Sequence, residues 1–375
     1  MRDAPRCRLL RAPWLAAVLT AAALLTACGD SGSVPAREED DGRSVADVLA
    51  QVEGLGRDER TARLLELVAE EDGELSFYSA MSATVARAVS EAFAEAYDID
   101  VGVYRAQGGA VVERLLAEAE AGYRGADVVH GSQTDVLELA AEGLLAAYDS
   151  PARAALPEEA RGETYTGVVL SRLVLSWNTE LVAANEVPTR WEDLADPRWK
   201  GRLALDPTDY ELVFGLTKVW EEQGKDGDEI DGLLEDIAAN AVFFAGHTLQ
   251  AQLVAAGEYA LGVNISHIVD RVTEDGAPIA WRPPVEPAIA NIGSDAILES
   301  TRHPAAAVLF LDWLIGEAGP LLEELRAVPI LSEETAAVAY HAVDGVELAA
   351  SIEEWTDRYA SLVELGTIVE GEGDG

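Results

Sequence analysis

The sequence predicts an α/β protein built on mainly parallel sheets flanked by helices. Strand-length apolar runs alternate with segments of helical spacing from residue 75 onward, the pattern of βαβ units. The chain, at 375 residues with two cysteines, is also long enough to be held by buried apolar cores rather than by disulfides.

Taken in order, residues 44–71 show helical spacing (Val45, Val48, Leu49, Val52, then Leu64, Leu65, Val68) and predict two short helices laid against the first α/β half. Leu75–Tyr78 reads as a strand and 84–97 as a helix with Val85, Ala88, Val89, Ala92 and Phe93 on one face. A strand at 99–104, a helix at 110–121, a strand at 126–129 and a helix at 135–141 complete that half. Residues 173–178 (LVLSWN) read as a further buried strand. After a loop-rich stretch, 188–205, come helices at about 211–223 and 228–239, a strand at 242–244, a helix at 249–256 and a strand at 259–263. The run 281–287 (WRPPVEP) holds three prolines, which bar regular structure and point to a crossing. Residues 303–326 and the end of the chain are helical, up to an acidic tail at 370–375.

The first 28 residues stand apart. Arg2, Arg6, Arg8 and Arg11 precede an apolar stretch, 13–27, ending in Leu25-Thr26-Ala27-Cys28. A basic region, a short apolar run and small residues before a cleavage point read as a secretory signal, shorter than the roughly 20 apolar residues a membrane span needs. Leu-x-Ala-Cys there resembles the lipobox of bacterial lipoproteins, which makes Cys28 the expected lipidated first residue and the membrane anchor. Cys7 would leave with the signal, and residues 29–43 read as a polar, acidic tether.

The formal net charge is -41, from 27 basic and 68 acidic residues. Nucleic-acid binding is excluded, because it needs a basic footprint. Lys200, Lys218 and Lys225 are the only lysines. A saline habitat and plain solubility both account for so acidic a chain.

The string Trp191-Glu192-Asp193-Leu194-Ala195-Asp196-Pro197-Arg198-Trp199-Lys200-Gly201 resembles a segment of the ferric-iron-type solute-binding proteins of ABC importers. Tyr78-Ser79-Ala80, Gly125–Val129, Gly257-Glu258-Tyr259 and His303–Ala307 resemble its companions, in the same order, over roughly 65–330. The resemblance implies a two-lobed type II periplasmic-binding-protein clamp that captures a small ligand for a membrane permease and its ATPase. Lobe 1 is then expected at 73–173, lobe 2 at 174–285, and a return to lobe 1 with C-terminal helices at 286–369, rocking about crossings near 173–178 and 283–288. It is expected to act as a monomer, with no cofactor beyond a metal ion carried as cargo. Trp191 and Trp199 are expected in the core, and Asp193 and Asp196 as turn formers.

Ligands of open α/β sheets lie beyond the carboxyl ends of the strands, against helix N-termini. That rule selects Ser79 and Ser82, then Gln107, Gly108 and Gly109, then His130 and Ser132. In the second lobe it selects Thr208, Asp209 and Tyr210, then Gly246, His247 and Thr248, then Asn264, Ser266 and His267. Such residues present donors to an anion, or serve simply as N-caps; both readings stand. Ferric-binding members of the resembled family carry two adjacent tyrosines where this chain has Ser266 and His267. A metal held by His267 and Tyr210 and a small organic or oxyanion ligand therefore both remain open. Outside capture for import stand a sensing or scaffold lipoprotein and a hydrolase. The chain has no G-x-S-x-G elbow and no H-E-x-x-H.

Overall fold

The computed structural model describes residues 42–369. The signal, Cys28, most of the tether and the tail at 370–375 lie outside the described residues. No described helix is long and apolar enough to cross a membrane.

Helices α1 (Val45–Val52) and α2 (Arg57–Val68) open the described chain. Ser44 caps α1 in a reciprocal box with Asp47, which meets otherwise unpaired N–H groups of the first turn. Then come β1 (Glu74–Ser79), α3 (Ala83–Tyr97), β2 (Asp100–Arg105), α4 (Gly108–Glu120), β3 (Val128–Ser132) and α5 (Gln133–Ala141). β1 lies between β2 and β3, all parallel, as their helical crossovers require. After β4 (Thr166–Asn178) follow β5 (Leu203–Leu205), α6 (Tyr210–Glu222), α7 (Gly227–Asn240), β6 (Ala241–Phe243), α8 (His247–Ala256), β7 (Leu261–Ile265), α9 (Ser266–Glu274) and β8 (Ile279–Ala280). β9 (Ala288–Ile297), α10 (Pro304–Gly316), α11 (Gly319–Glu324), β10 (Val328–Pro329), α12 (Glu333–Ala336), β11 (Tyr340–Ala342), α13 (Gly345–Ala349), α14 (Ile352–Val363) and β12 (Thr367–Ile368) complete it.

Strand β4 changes partner along its length. Thr166–Leu173 pairs with β9, and Leu173–Trp177 pairs with β7. β9 does the converse, running from β4 to Gly293–Ile297 beside β3. These two antiparallel strands join a β3-β1-β2 half to a β7-β5-β6 half. The second crossing is thus strand β9 itself, a correction to the proline run at 283–288. That run precedes β9, and its Pro287 carbonyl accepts the Trp191 indole N–H at 2.8 Å.

Each half has its own core. Phe77, Val89, Phe93 and Ile297 pack with α1, α2 and α10 on one side. The Ala305–Leu311 run of α10 is buried on every face, which its uninterrupted apolarity demands. Trp191, Trp199, Phe214, Trp220 and Phe243 fill the other core. Both Trp191 and Trp199 find one acceptor each, Trp199 at the Asp193 carbonyl. Val343, Leu348, Tyr359 and Leu362 join that second core, and β12 pairs with β6. The segment beyond β11 therefore packs on the second half, a correction to the single return expected for 286–369.

Candidate functional site

Between the two halves lies a cleft of about 610 Å³. Its floor is the crossing itself: Val169–Ser171 and Leu173 of β4, Asn291–Gly293 of β9. One wall carries the ends of β1, β2 and β3, with the starts of α3 and α5. The Ser82 hydroxyl caps α3, accepting from Val85 N at 3.3 Å, and Ser132 caps α5 in a box with Asp135. Arg105 Nε donates to the Met81 carbonyl at 3.1 Å, which holds its guanidinium over the cleft.

The register of β3 against β9 sets His130 opposite Asp295, and Nδ1 lies 3.0 Å from Asp295 Oδ2 with both side chains buried. Gly293 fits between β4 and that ring, since a Cβ there would stand 2.6 Å from Val169 Cγ2 and 3.1 Å from His130 Cε1.

The facing wall comes from α6, α8 and α9. Asp206 organises it: Oδ1 accepts from Thr208 N and Oγ1, and Oδ2 accepts from Gly246 N at 2.6 Å. This draws the starts of α6 and α8 together and brings Asp209 Oδ1 to 3.2 Å from His247 Nε2. Burial pushes the Asp209 carboxyl up, more than His247 pulls it down. Burial disfavours the His247 cation, but the Asp209 hydrogen bond and charge outweigh it and raise the imidazole. Burial, with the Asp209 charge beside it, lifts Glu211 to about 7, against the opposing hydrogen bond from Asn291 Nδ2 to Glu211 Oε2 at 2.6 Å. Asp209 Oδ2 and Asn291 Oδ1 are buried and have no partner, while the His247 ring also meets the backbone of Val263.

Of the residues picked from sequence, Ser82, His130, Ser132, Asp209, His247 and His267 line the cleft. The others do not, each for a local reason. The Ser79 hydroxyl is buried and accepts from Met81 N at 3.2 Å. Gln107, Gly108 and Gly109 open α4 against α5, where a Cβ on Gly108 would stand 2.3 Å from Asp135 Oδ2, so the chain's own carboxylate occupies that helix end. Thr208 is spent on Asp206, and Thr248 is exposed on α8. Asn264 is buried, its Nδ2 donating to Ser176 Oγ at 2.8 Å, and Ser266 is buried at the start of α9. Tyr210 packs against the second core with its phenol facing Thr134. Burial raises that phenol well above its ordinary value, the neighbouring Glu211 and Asp135 charges adding to the effect. Tyr210 and His267 are thus not both cleft-lining groups. The cleft also holds Arg105, Asp209, Glu211, Arg271, Asn291 and Arg326. Of these Asp209 is among the residues the sequence selects; Arg271 falls one helical turn after His267, a spacing that could have revealed it.

Residues 88–320 match the family model described as bacterial extracellular solute-binding protein. An uncharacterized protein of Haemophilus influenzae is 28% identical over 282 residues, 70% of this chain and 80% of the relative. Iron-bound HitA from Pseudomonas aeruginosa superposes with a TM-score of 0.64 at 20% identity, over 76% of this chain and 99% of that one. The periplasmic binding protein AfuA from Actinobacillus pleuropneumoniae, solved with fructose 6-phosphate, has a TM-score of 0.64 at 21% identity, over 79% and 100%. These solved neighbours share the two-lobed clamp, and the chain belongs to the bacterial extracellular solute-binding protein family.

Proposed function

We propose that this solute-binding protein is held outside the cell by lipid on Cys28 and captures a small organic anion for a membrane permease and its ATPase. It does so as a monomer and performs no chemistry on the ligand. The observation that carries the anionic reading is the cleft lining. Arg105 and Arg271 line it, with Arg326 at its rim paired to Glu274, beside the first turns of α3 and α5. Guanidinium and helix N-termini both favour oxyanions. AfuA, a neighbour of the same fold, holds a phosphorylated sugar, and a solute of that class suits the lining.

Capture proceeds by closure. A first lobe around 73–173, with α10 and α11, rocks on a second around 174–285, with the C-terminal helices, about β4 and β9. Ligand touching both walls shifts the open–closed balance by its difference in affinity for the two states.

Ferric iron is the second reading, favoured by the iron in HitA and by His267 in the cleft. The donor set speaks against it. A hard trivalent cation seeks phenolate or carboxylate clusters. The Tyr210 proton is held by burial and by neighbouring acids, and among the described residues no group of three His, Cys, Asp or Glu is placed to hold a metal. Native mass spectrometry of the exported protein, with metal analysis of the same sample, decides. An organic anion adduct without stoichiometric iron is expected; stoichiometric iron retained on purification overturns the anionic reading. Cys28→Ser is expected to move the protein from the membrane fraction to the soluble one.

A further inference from the structure

Each wall of the cleft presents one positive charge that the protein does not cancel. Arg105 stands at the end of β2, on the wall built from β1, β2 and β3, and Arg271 stands on α9, on the facing wall. Both are exposed rather than packed away. Arg105 Nε donates to the Met81 carbonyl, a neutral acceptor that orients the guanidinium and leaves its charge intact. Among the described residues no carboxylate is in ion-pair contact with either side chain. By contrast, His130, His247 and Arg326 are answered within the protein, by Asp295, Asp209 and Glu274. Arg105 and Arg271 thus keep their charge for a ligand, in a chain whose net charge is -41.

We propose that the ligand carries an anionic group at each end, one taken by Arg105 and the other by Arg271, and that this pairing selects dianions over monoanions. This rests on the anionic reading of the same cleft and names the class of anion within it. Arg105 works beside the starts of α3 and α5, whose first turns favour a phosphate-like oxyanion. Arg271 is left for a carboxylate, which a guanidinium receives through two parallel N–H···O bonds. Closure of the lobes strips water from both walls. A monoanion then matches one guanidinium and leaves the other desolvated without a counter-charge, which opposes closure. A dianion matches both and, because the two stand on opposite walls, ties the lobes together. The cleft's own carboxyls do not supply the missing charge. Asp209 is bound to His247, and Glu211, held at about 7, is neutral below that pH. A phosphorylated sugar acid is a solute of the class that fits.

Titration calorimetry on the full chain in mild detergent at pH 6 tests this with 6-phosphogluconate, glucitol 6-phosphate, gluconate and glucitol. These four open-chain solutes differ only in whether each end is charged. The doubly charged 6-phosphogluconate is expected to bind at least about tenfold tighter than glucitol 6-phosphate, because the latter leaves Arg271 unpaired. Arg271→Gln should bring that ratio to within about threefold of one, and Arg271→Lys should keep part of it. Arg105→Gln should weaken both phosphorylated ligands and leave their ratio standing. The ratio is taken within one variant, so partial unfolding does not move it. A ratio near one in the parent, a ratio that Arg271→Gln leaves unchanged, or affinities that Arg105→Gln leaves unmoved overturns the two-ended assignment. The anionic reading survives any of these as long as glucitol 6-phosphate binds more tightly than glucitol. Glucitol binding as tightly as its phosphate overturns the anionic reading itself. Binding of none of the four overturns both.

Discussion

Asp127 and His303, 176 residues apart in the chain, meet with His303 Nδ1 2.9 Å from Asp127 Oδ2. The same carboxylate accepts from Ser76 N, Thr301 Oγ1 and Arg302 N, so one buried side chain ties β1, β3 and the start of α10 together. The hydrogen bond to Asp127 raises His303 above its ordinary value, burial opposing. Burial works to raise Asp127, but the His303, Thr301 and Ser76 bonds prevail and lower it. For a histidine raised on folding, the stabilisation is full below its unfolded value of about 6.5 and is lost as pH climbs through the folded one. For a carboxyl lowered on folding, it is present above about 3.9 and lost as pH falls further. The pair is therefore at full strength from roughly pH 4 to 6.5. Thermal unfolding should show the midpoint falling between pH 6 and 8, and falling less in His303→Asn. His303→Ala should also cost about 1–3 kcal/mol at pH 6, because a buried carboxylate loses one donor and keeps three.

Glu211 makes the cleft itself sensitive to pH. Burial and the Asp209 charge hold its carboxyl at about 7. Below that pH it is neutral, and above it a negative charge appears in a low-dielectric cleft, where it repels an anionic ligand. The affinity for fructose 6-phosphate should fall several-fold between pH 6 and 8, and Glu211→Gln should flatten that profile. Comparing the two profiles removes the phosphate's own titration. Parallel curves for parent and variant would show that Glu211 does not face the ligand.

The parts that could be read from the sequence are those with a strong period. β1, α3 and β3 announce themselves because each buries a regular apolar face against α10 or the neighbouring helix. Of the crossing strands only the 173–178 end of β4 does. β9 carries Asn291, Ser294 and Asp295 amid its apolar residues, and β4 carries Ser171 and Arg172, since both strands change surroundings halfway. A strand that is core at one end and cleft floor at the other loses both the alternating and the continuous pattern. The site divides in the same way. His130 lies at the carboxyl end of β3 and His247 follows β6, so both obey a local rule, whereas Asn291 lies mid-strand in β9 and Arg326 arrives from a loop beyond α11. Their places depend on how the halves meet, which no local spacing encodes. The start of α4 misleads for a related reason: the Asp135 carboxylate already lies against Gly108, and only the packing of α4 on α5 reveals it.

Behind the crossing a glutamine bridges the halves. Gln133 Oε1 accepts from Gly345 N at 3.0 Å and its Nε2 donates to the Glu159 carbonyl at 2.8 Å, joining α5 to α13. A Cβ on Gly345 would stand 2.4 Å from that Oε1 and 2.8 Å from Cγ. Gly345→Ala should therefore destabilise by about 1–3 kcal/mol, the usual cost of overpacking a filled site. Adding Gln133→Ala should recover part of that loss, because it removes the colliding atoms. Urea unfolding of both single variants and the double variant gives the coupling. Additive losses would mean that the two residues do not meet.

The acidity of the whole chain sets a last expectation. A net charge of -41 makes the compact state repel itself, and the repulsion is screened over about 10 Å at 0.1 M salt but about 3 Å at 1 M. The melting temperature should rise from 0.1 to 1 M sodium chloride. One local site isolates the cause. Helix α3 has no basic residue in its last turn, and Glu91 and Glu95 are exposed on it four residues apart. A like-charge pair at that spacing, near the negative end of the helix dipole, is unfavourable twice over. Glu95→Lys converts both terms and should stabilise by about 0.5–1 kcal/mol at 0.1 M salt, with the gain shrinking at 1 M. A gain that persists undiminished at high salt would assign the effect to helix propensity or contacts of the new side chain rather than to charge.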